Sequence, residues 1–305
     1  MLKQILKVAL PKPVRKRLRA RMEAILARPD WSMDSLTVLN AAHRRVGIMN
    51  YETMEVSGES FLLKRILPVL LNSPSPTLFD VGANEGGYTL ALLGALPGST
   101  VRSFEPMPET YSRLKNKVPG GRTVCVPKGV SNTSGTATFF DYSDGQSSEH
   151  ASLFQDVFTV LHKPEKVKSI NVELITLDEY CQAESVKKID FIKIDTEGNE
   201  LAVLQGAAKT IASGGLPLIQ FEFNEMNVVS RSFLKDFYQV LEGYAFFRLM
   251  PNGLLPLGPY NPRNEIFAFQ NIIAVRTESY PDAAVASFIV PVLEKPPVID
   301  GLKGS

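Results

Sequence analysis

The sequence predicts an α/β protein with a doubly wound, mostly parallel sheet and a helical extension at its N-terminus. Between residues 77 and 276, short apolar runs typical of strands alternate with stretches whose apolar residues recur at helical spacing, a pattern typical of parallel sheets. This region opens with a strand, a glycine-rich turn and a helix within residues 77–96, which is the layout of the first unit of a nucleotide-binding sheet. With 305 residues and an ordinary apolar fraction, the chain can bury a full core.

Each element is predicted from its local pattern. Four of the six residues at 189–194 are apolar, as expected of a buried strand, whereas residues 136–142 alternate and predict an edge strand. Clusters of proline, glycine, serine or asparagine at 72–76, 120–121 and 131–135 predict turns. The predicted strands are residues 77–81, 100–104, 123–127, 136–142, 169–174, 189–194, 216–223, 245–250 and 271–275. The predicted helices are residues 58–71, 88–96, 109–117, 177–183, 200–212 and 233–241.

Charge is distributed unevenly along the chain. The net charge is +1, but residues 1–30 hold nine lysines or arginines against two acids, so the remainder sums to −6. Residues 1–29, here called the leader, are predicted to form basic helical segments broken at Pro11 and Pro13. Three roles fit such a leader: contact with an anionic membrane surface, at roughly 1 kcal/mol per basic residue, contact with RNA, or a solvated arm.

Targeting signals and segment boundaries complete the organisation. Lysines interrupt the apolar residues of the leader, so no signal peptide is predicted, and no apolar run reaches the roughly 18 residues of a membrane span. We therefore expect a cytoplasmic protein, and peripheral contact of the leader with the inner membrane surface is one of its three open roles. The expected segments are the leader at 1–29, a helical extension at 30–76, the sheet domain at 77–276, and a loosely held, proline-containing tail at 277–305.

The turn after the first predicted strand carries residues that suggest a ligand. Asp80 lies two residues before Gly82, and Asn84 and Gly86 follow, so the Gly-x-Gly-x-x-Gly fingerprint of dinucleotide sites is not met. An acid at this position does not suit a pyrophosphate, but it suits a ligand that carries an ammonium group. Glu105 ends the next strand, at about the distance at which an acid binds ribose hydroxyls. The glycines allow the backbone to bend and approach a ligand closely.

A ligand with an ammonium group, a carboxylate and a ribose, but no phosphate, is S-adenosylmethionine. The turn and its two acids therefore predict this cofactor, bound beside the free N–H groups at the start of the following helix. The alternative is a structural glycine turn closed by two solvated acids.

The chain resembles the FkbM-type S-adenosylmethionine-dependent methyltransferases. The stretches that carry the resemblance are Phe79-Asp80-Val81-Gly82-Ala83-Asn84-Glu85-Gly86, Phe104-Glu105-Pro106-Met107-Pro108, Val130-Ser131-Asn132-Thr133-Ser134-Gly135, Thr176-Leu177-Asp178, and Ile189 to Glu200 with its continuation Val203-Leu204-Gln205-Gly206-Ala207. The resemblance implies a Rossmann-like methyltransferase fold with seven strands, the last antiparallel. It also implies O-methylation of a hydroxyl on a sugar, glycan or related small molecule.

Methyl transfer to a hydroxyl needs an in-line approach and a group that takes the proton. Positioning can supply roughly 7–11 kcal/mol, and a base about two to four powers of ten in rate. Asp195, Glu197 and Glu222 follow predicted strands at the edge where Asp80 lies. They are the predicted catalytic carboxylates, acting as a base or as ligands of a divalent cation. The alternative for Asp195 and Glu197 is capping of the helix that begins near Asn199.

Histidine is the other candidate base, because an imidazole titrates near neutrality. His150 and His162 lie in a polar segment, residues 143–168, that we expect over the carboxyl ends of the strands, and His150 is the candidate catalytic residue. An exposed loop histidine is the alternative for each. In this fold the turn after the third strand usually borders the adenine pocket. The predicted cofactor-binding residues are Asp80, Gly82, Asn84, Gly86, Glu105, Pro106, Ser131, Asn132 and Asp195.

Other functional classes compete with this prediction. A nicotinamide-dependent oxidoreductase uses a similar sheet, but the glycine spacing speaks against it. A nucleic-acid methyltransferase would use the basic leader, but base-methylating enzymes often carry an Asn- or Asp-Pro-Pro-aromatic turn where this chain has Asp195-Thr196-Glu197-Gly198. Nucleic acid is therefore not an expected partner. A non-enzymatic binding module would not need the acids at 80, 105 and 195. The two cysteines, Cys125 and Cys181, are predicted to be free thiols and too few for a cysteine metal site.

Overall fold

A computed structural model describes most of the chain. The described residues are Lys16, Arg17, Ala20, Arg21 and Ala24, followed by residues 32–71, 73–142 and 167–290. They belong to two compact units, Met1–Val46 and Gly47–Ser305. In the first unit, helix α1 (Ser32–Arg45) has three basic residues in its last turn, where positive charge interacts favourably with the helix dipole.

The second unit contains the sheet and the helices that cover it. The strands are β1 (Thr77–Val81), β2 (Thr100–Phe104), β3 (Thr123–Val126), β4 (Gly129–Val130), β5 (Gly135–Tyr142), β6 (Val167–Ile175), β7 (Phe191–Ile194), β8 (Leu218–Phe223), β9 (Tyr244–Met250), β10 (Gly253–Pro256) and β11 (Gln270–Arg276). The helices are α2 (Met54–Ser57), α3 (Glu59–Phe61), a π-helical turn (Leu62–Ile66), α4 (Leu67–Leu70), α5 (Gly87–Ala95), α6 (Pro108–Lys117), α7 (Leu177–Ala183), α8 (Glu200–Gln205), α9 (Ala208–Ala212), α10 (Met226–Ser230), α11 (Leu234–Val240), a 3₁₀ turn (Pro262–Asn264) and α12 (Asp282–Ala286).

The large sheet has the predicted doubly wound, mostly parallel arrangement. Among the described residues its eight strands lie in the order β10-β9-β11-β8-β7-β1-β2-β3. β1 pairs in parallel with β2 on one side and with β7 on the other. The chain therefore changes direction across the sheet at β1, and the carboxyl ends of β1 and β7 border a crevice in which α/β sheets bind ligands.

Helices cover both faces of this sheet, and successive side chains of each strand point to opposite faces. Phe79 and Ile219 belong to the core on one face, under α7, α8, α9 and α11. Leu78 and Leu218, their neighbours in sequence, belong to the core on the other face, under the helical run from α3 to α4, α5 and α12. The largely apolar runs that predicted buried strands reflect this two-sided burial.

The antiparallel end of the sheet differs from the prediction by one strand. β11 lies between β8 and β9 and is antiparallel to both, as the family resemblance implied for a last strand. The described residues add β10, an eighth strand joined to β9 by the two-residue turn Pro251-Asn252, with Gly253 opposite Met250. The sequence prediction treated this stretch as a loop because its prolines and glycines mask the short apolar run at its centre.

Residues 136–142 form an edge strand, as predicted, but they do so in a second, smaller sheet. β5 pairs antiparallel with β6 over its whole length, and β4 joins them in a separate three-stranded sheet of order β4-β6-β5. This small sheet has its own core, formed by Phe139 and Val172 with Met107. Alternation correctly predicted a strand, but it contains no information on which partner that strand pairs with.

Two further boundaries differ from the sequence predictions. The helix predicted at 200–212 is interrupted, because Gly206 packs against the turn after β4, where a Cβ at residue 206 would lie 2.2 Å from the carbonyl oxygen of Ser131. The first part of the predicted loose tail is packed: the amide of Leu254 donates to Phe288 at 2.8 Å, and the amide of Val290 donates to Leu254 at 2.9 Å. The cysteines are free thiols, Cys181 buried and Cys125 partly exposed.

Candidate active site

A cleft of about 860 Å³ opens at the carboxyl ends of the central strands. Its lining divides into two halves around residues 195–199, which follow β7. One half, here called the donor half because the sequence predicts the methyl donor there, lies over β1 to β3. It contains Val81, Gly82, Asn84, Phe104, Glu105, Pro106, Met107, Thr110, Lys128, Gly129, Val130 and Phe139. The other half, here called the acceptor half because it is the space left for a second ligand, lies beyond β7, over β8 and the start of β11. It contains Met49, Tyr51, Glu222, Asn224, Glu225, Met226, Phe267, Ala268 and Phe269.

The turn after β1 is fixed by contacts within the protein. Gly82 adopts a φ of 81°, and a Cβ there would lie 1.7 Å from the carbonyl oxygen of Asp195, so only glycine allows β1 and β7 to approach this closely. At Gly86, with φ 82°, a Cβ would lie 2.7 Å from Leu114 and Val118 of α6 and the turn that follows it. Gly82 also lines the cleft, whereas Gly86 faces the protein interior.

The backbone amides of this turn are largely in use. Gly82 and Ala83 both donate to the carbonyl oxygen of Phe104, at 3.1 and 2.9 Å, and Gly86 donates to Ala83 at 2.8 Å. The amide of Asn84 donates to Oε2 of Glu105 at 3.0 Å. The turn therefore offers few free N–H groups to a phosphate.

Glu105 is buried at the end of β2 and lines the cleft. Its Oε1 accepts a hydrogen bond from the amide of Met107 at 2.9 Å, while Oε2 accepts the one from Asn84. Burial raises the pKa of Glu105 to about 7, although the two backbone hydrogen bonds act in the opposite direction. Each carboxylate oxygen can accept a further hydrogen bond, so the group is held in one position and is available to hydroxyls in the cleft.

Asp80 lies beneath the cleft instead of lining it. Its side chain is fully buried, and Oδ2 accepts a hydrogen bond from the hydroxyl of Thr89 at 2.6 Å. Its Oδ1 is buried without a hydrogen-bond partner. Burial raises the pKa of Asp80, and the positive charge of Lys193 opposes that shift. The predicted contact between Asp80 and a ligand stays a prediction.

Lys193 is a buried cation behind the cleft. Its ammonium group lies 2.7 Å from Oδ2 of Asp195 and 4.9 Å from the centre of the Tyr88 ring. Burial alone would lower the pKa of Lys193, but the surrounding carboxylates, Asp195 first and then Asp80, raise it above its usual range. Lys193 therefore stays charged and fixes the position of Asp195 at the edge of the cleft.

The predicted catalytic carboxylates meet at the centre of the cleft. Asp195, Glu197 and Glu222 all line it, and the amide of Asp195 donates to the carbonyl oxygen of Val81 at 3.0 Å. Burial, followed by the neighbouring charge of Asp195, raises the pKa of Glu222 well above its usual range, while Lys193 opposes the shift. The acids at 195 and 222 are thus close enough that their charges influence each other.

The loop between β7 and α8 is organised by a different acid from those predicted to cap the helix. Oε1 of the buried Glu200 accepts hydrogen bonds from the amides of Thr196 at 2.9 Å and Gly198 at 3.1 Å. The N-cap residue of α8 is Asn199, whose side chain makes no capping hydrogen bond but donates to the carbonyl oxygen of Val130 at 2.9 Å. Glu197 holds a φ of 52°, a left-handed conformation that is uncommon for glutamate.

The remaining predicted site residues are distributed unevenly. Pro106 lines the cleft. Ser131 is buried against β6, where its amide donates to Ile175 at 3.1 Å, and the Asn132 side chain donates to Gln205 at 3.3 Å, so neither is among the lining residues. Gly129 and Val130 occupy that side of the cleft. His150 and His162 lie outside the described residues.

The described part of the chain contains neither a metal-binding cluster nor a membrane-spanning helix, and the leader, predicted to contact a membrane surface, lies largely outside the described residues. Within residues 32–71, 73–142 and 167–290 no group of three or more His, Cys, Asp or Glu side chains is arranged to hold a metal ion. None of the described helices combines the length and apolarity that would be needed to span a membrane.

Apart from Glu222, sequence reasoning missed the acceptor half, and it also missed the cation behind Asp195. Tyr51 and Phe269 lie far from every motif in the sequence, and their rings meet edge-on at 5.9 Å. Phe267–Phe269 could have been placed from topology, because the residues before an antiparallel strand lie beside the end of its neighbour. Lys193 was visible as a charged residue inside an otherwise apolar strand, which requires a buried partner.

Comparisons with known proteins agree with the resemblance in the sequence. Residues 80–246, more than half of the chain, match the methyltransferase FkbM domain. The chain is similar to 2-O-methyltransferase NoeI of Sinorhizobium fredii, with 24% identity over 208 residues that cover 64% of this chain and 83% of that protein. It is also similar to hexuronic acid methyltransferase AglP of Haloferax volcanii, with 28% identity over 146 residues that cover 47% of this chain and 54% of that protein.

Solved structures resemble the chain more distantly. The O-methyltransferase from Bacillus cereus in complex with SAH aligns with a TM-score of 0.39 and 13% identity, covering 86% of this chain and 97% of that one. The family assignment therefore rests on the sequence match. Because that match extends over more than half of the chain, the protein belongs to the FkbM family of methyltransferases.

Proposed function

We propose that this methyltransferase uses S-adenosylmethionine as donor and methylates a hydroxyl of a sugar, glycan or related small molecule. The observation that carries the proposal is the chemistry of the donor half. Its turn has few free amides for a phosphate, while Glu105 presents a fixed carboxylate to hydroxyl groups. A donor with a ribose and no phosphate fits these groups, and a pyrophosphate-containing nicotinamide cofactor does not.

The donor half supplies binding groups for the rest of the cofactor. Phe139 and Val130 offer apolar surface to an adenine ring, and Pro106 and Met107 form the adjoining wall. S-adenosylmethionine supplies an activated methyl group on a sulfonium, which is transferred in line to a nucleophile. Asp195, between the two halves, and Asn84, in the donor half, both line the cleft and favour the positively charged end of the donor there.

The chain's own carboxylates provide the proton acceptor. Asp195 is held by Lys193 at 2.7 Å, while Glu222 on the acceptor side has a raised pKa. A carboxylate with a raised pKa is a stronger base once it is ionised, so Glu222 is suited to accept the proton of a bound hydroxyl. Asp195 would orient that hydroxyl toward the donor, and such positioning supplies much of the rate.

The name of one relative supports methyl transfer to oxygen, and the name of another supports a sugar-derived acceptor. NoeI is a 2-O-methyltransferase, and AglP is a hexuronic acid methyltransferase. The lining of the acceptor half, which is aromatic and acidic, is unfavourable to the phosphates of a nucleic acid. The match to a methyltransferase family argues against the alternative function of a nicotinamide-dependent oxidoreductase.

A divalent cation and a membrane surface are the remaining predicted partners. Glu197 and Glu222 are the carboxylates that would approach a cation in the cleft, and assays with and without EDTA test this role. The excess of basic residues in the leader favours anionic lipid headgroups.

Calorimetry tests the donor. We expect S-adenosylmethionine to bind and NAD to give no heat of binding. Binding of NAD alone would refute the proposed cofactor.

Turnover tests the carboxylates. Radioactive methyl transfer to a panel of sugars, with product masses measured, should detect an O-methylated product. Glu222→Gln should lower turnover by about two to four powers of ten while S-adenosylmethionine still binds. A normal rate in this variant would exclude Glu222 as the base.

A further inference from the structure

The acceptor half contains an aromatic shelf, formed by Tyr51 and Phe269. The Tyr51 side chain is 59% exposed although it lines the cleft, and its ring meets that of Phe269 edge-on at 5.9 Å with an interplanar angle of 80°. The shelf is anchored from below, because the amide of Met49 donates to the carbonyl oxygen of Phe269 at 2.7 Å. An exposed, positioned aromatic face in a cleft is a surface on which a flat apolar ligand face can pack.

The same half of the cleft is strongly acidic. Among the described lining residues of the whole cleft there are five acids, Glu105, Asp195, Glu197, Glu222 and Glu225, and one cation, Lys128. Lys128 belongs to the donor half and is paired with Glu173 at 2.9 Å. The acceptor half itself contains Glu222 and Glu225 and, within the described lining, no positively charged side chain.

Charge and shape together restrict the acceptor. The acceptor half offers acid side chains and, within its described lining, no cation that could pair with an anionic group, and an unpaired charge in a partly desolvated cleft is unfavourable. The apolar C–H face of a sugar ring fits an aromatic surface, and its hydroxyls can donate hydrogen bonds to carboxylates. The lining thus favours a ligand rich in hydroxyl donors and free of negative charge.

We propose that the acceptor is an uncharged sugar ring that packs on Tyr51 and donates hydroxyls to Glu222 and Glu225, and that uronic acids and nucleotide-diphosphate-linked sugars are excluded. This inference rests on the proposed function, since it defines the acceptor of the same site. It separates this protein from its relative AglP, which acts on a hexuronic acid.

A panel of matched acceptors tests the exclusion of anions. Methyl pyranosides of glucose, galactose and mannose are compared with the corresponding uronic acid glycosides and with the UDP- or GDP-linked sugars, at constant ionic strength. We expect kcat/KM for a neutral glycoside to exceed that for its uronic acid partner by at least about tenfold. Glu225→Gln removes one charge at the exposed rim, and should raise the ratio of uronic acid to neutral turnover.

Variants of Tyr51 test the shelf. Tyr51→Ala should raise KM for the neutral glycoside about five- to tenfold with little change in kcat, since it removes apolar contact but no reacting group. Tyr51→Phe keeps the ring and should retain the wild-type KM. Val69→Ala, an equally exposed truncation on α4 with Val69 56% exposed, is the control for nonspecific surface effects.

Each outcome decides the inference. Turnover of a uronic acid or nucleotide-linked sugar equal to or above that of the neutral sugar overturns it while leaving sugar O-methylation intact. An unchanged KM in Tyr51→Ala removes the shelf from acceptor binding. If no pyranoside of any charge is methylated although S-adenosylmethionine binds, the sugar assignment itself fails and this inference fails with it.

Discussion

Replacing Glu105 by glutamine tests whether its raised pKa governs donor binding. Without a bound ligand, the Glu105 carboxyl has a pKa of about 7 because burial disfavours its charge. In the folded protein it therefore keeps its proton up to nearly neutral pH. For stability, the sign is that of an acid with a raised pKa: between its ordinary value of 4.5 and about 7, ionisation progressively costs the folded state free energy. A ribose that donates hydroxyls to the carboxylate favours the ionised form and offsets this cost.

The expected magnitude follows from this linkage. The affinity of the wild-type protein for S-adenosylmethionine should fall roughly 30-fold between pH 8 and pH 5.5, because binding at low pH must first release the proton of Glu105. Hydrogen bonds to a charged acceptor contribute about 1.5–3 kcal/mol, so Glu105→Gln should bind roughly 10- to 100-fold more weakly at pH 8. Near pH 5.5 the two proteins should agree within about a factor of three, since the wild-type residue is then uncharged as well.

Calorimetric titration at several pH values measures this directly. Donor affinity is a cleaner readout than stability, because burial also raises the pKa of Glu200 to about 7 and both groups contribute to unfolding. Titration of the ligand's own amino group is common to both proteins and cancels in their ratio. Glu109→Gln, at an exposed position in the first turn of α6, serves as a control and should keep the wild-type pH dependence. A ratio of affinities that does not change between pH 5.5 and 8 would refute the role of Glu105.

Two further predictions concern residues around the cleft, and a third concerns the leader. Gly82→Ala should lower the free energy of unfolding by at least about 1–3 kcal/mol, since the residue holds a left-handed conformation and its new Cβ would meet the carbonyl oxygen of Asp195 at 1.7 Å. The control Gly94→Ala, whose Cβ would meet no atom within 4 Å, should be neutral or stabilising. Equal effects of the two variants in urea denaturation would contradict the packing argument. Lys193→Met should lower the free energy of unfolding by about 3–5 kcal/mol because buried carboxylates lose their counter-charge. Adding Asp80→Asn to this variant should recover part of the loss. A Lys193→Met variant as stable as the wild type would show that Lys193 and these carboxylates are not energetically coupled. Deletion of residues 1–29 should leave donor binding intact and weaken sedimentation with phosphatidylserine vesicles, whereas equal sedimentation would remove the membrane role.

Sequence patterns correctly predicted the buried strands that proteins of this architecture share. The run before Asp80 and the one before Asp195 had to be buried parallel strands, and the structure pairs them directly. Glu105 was assigned to the end of the second strand and lies there. These predictions succeeded because burial on both faces imposes a largely apolar run, which the sequence displays without reference to distant residues.

Long-range choices could not be obtained in this way. The alternating pattern of β5 fits the edge of the main sheet as well as it fits a pairing with β6, and the choice depends on residues separated by a long insertion. Tyr51 has no local signature, because its place in the cleft depends on the contact between Met49 and Phe269. Asp80 has the right spacing for a ligand contact, but the depth of its side chain depends on Thr89 and Lys193.

The position of β11 determines how this protein can be shortened. The match to the family ends at residue 246, yet β11 (Gln270–Arg276) forms the only bridge between β8 and β9 within the described sheet. A recombinant fragment cut at the family boundary would end inside β9 (Tyr244–Met250), lack β10 and β11, and expose the edge of β8, which favours intermolecular strand pairing. Expression trials should therefore keep the chain intact through at least Val290, whose amide fastens the segment after β11 to β10.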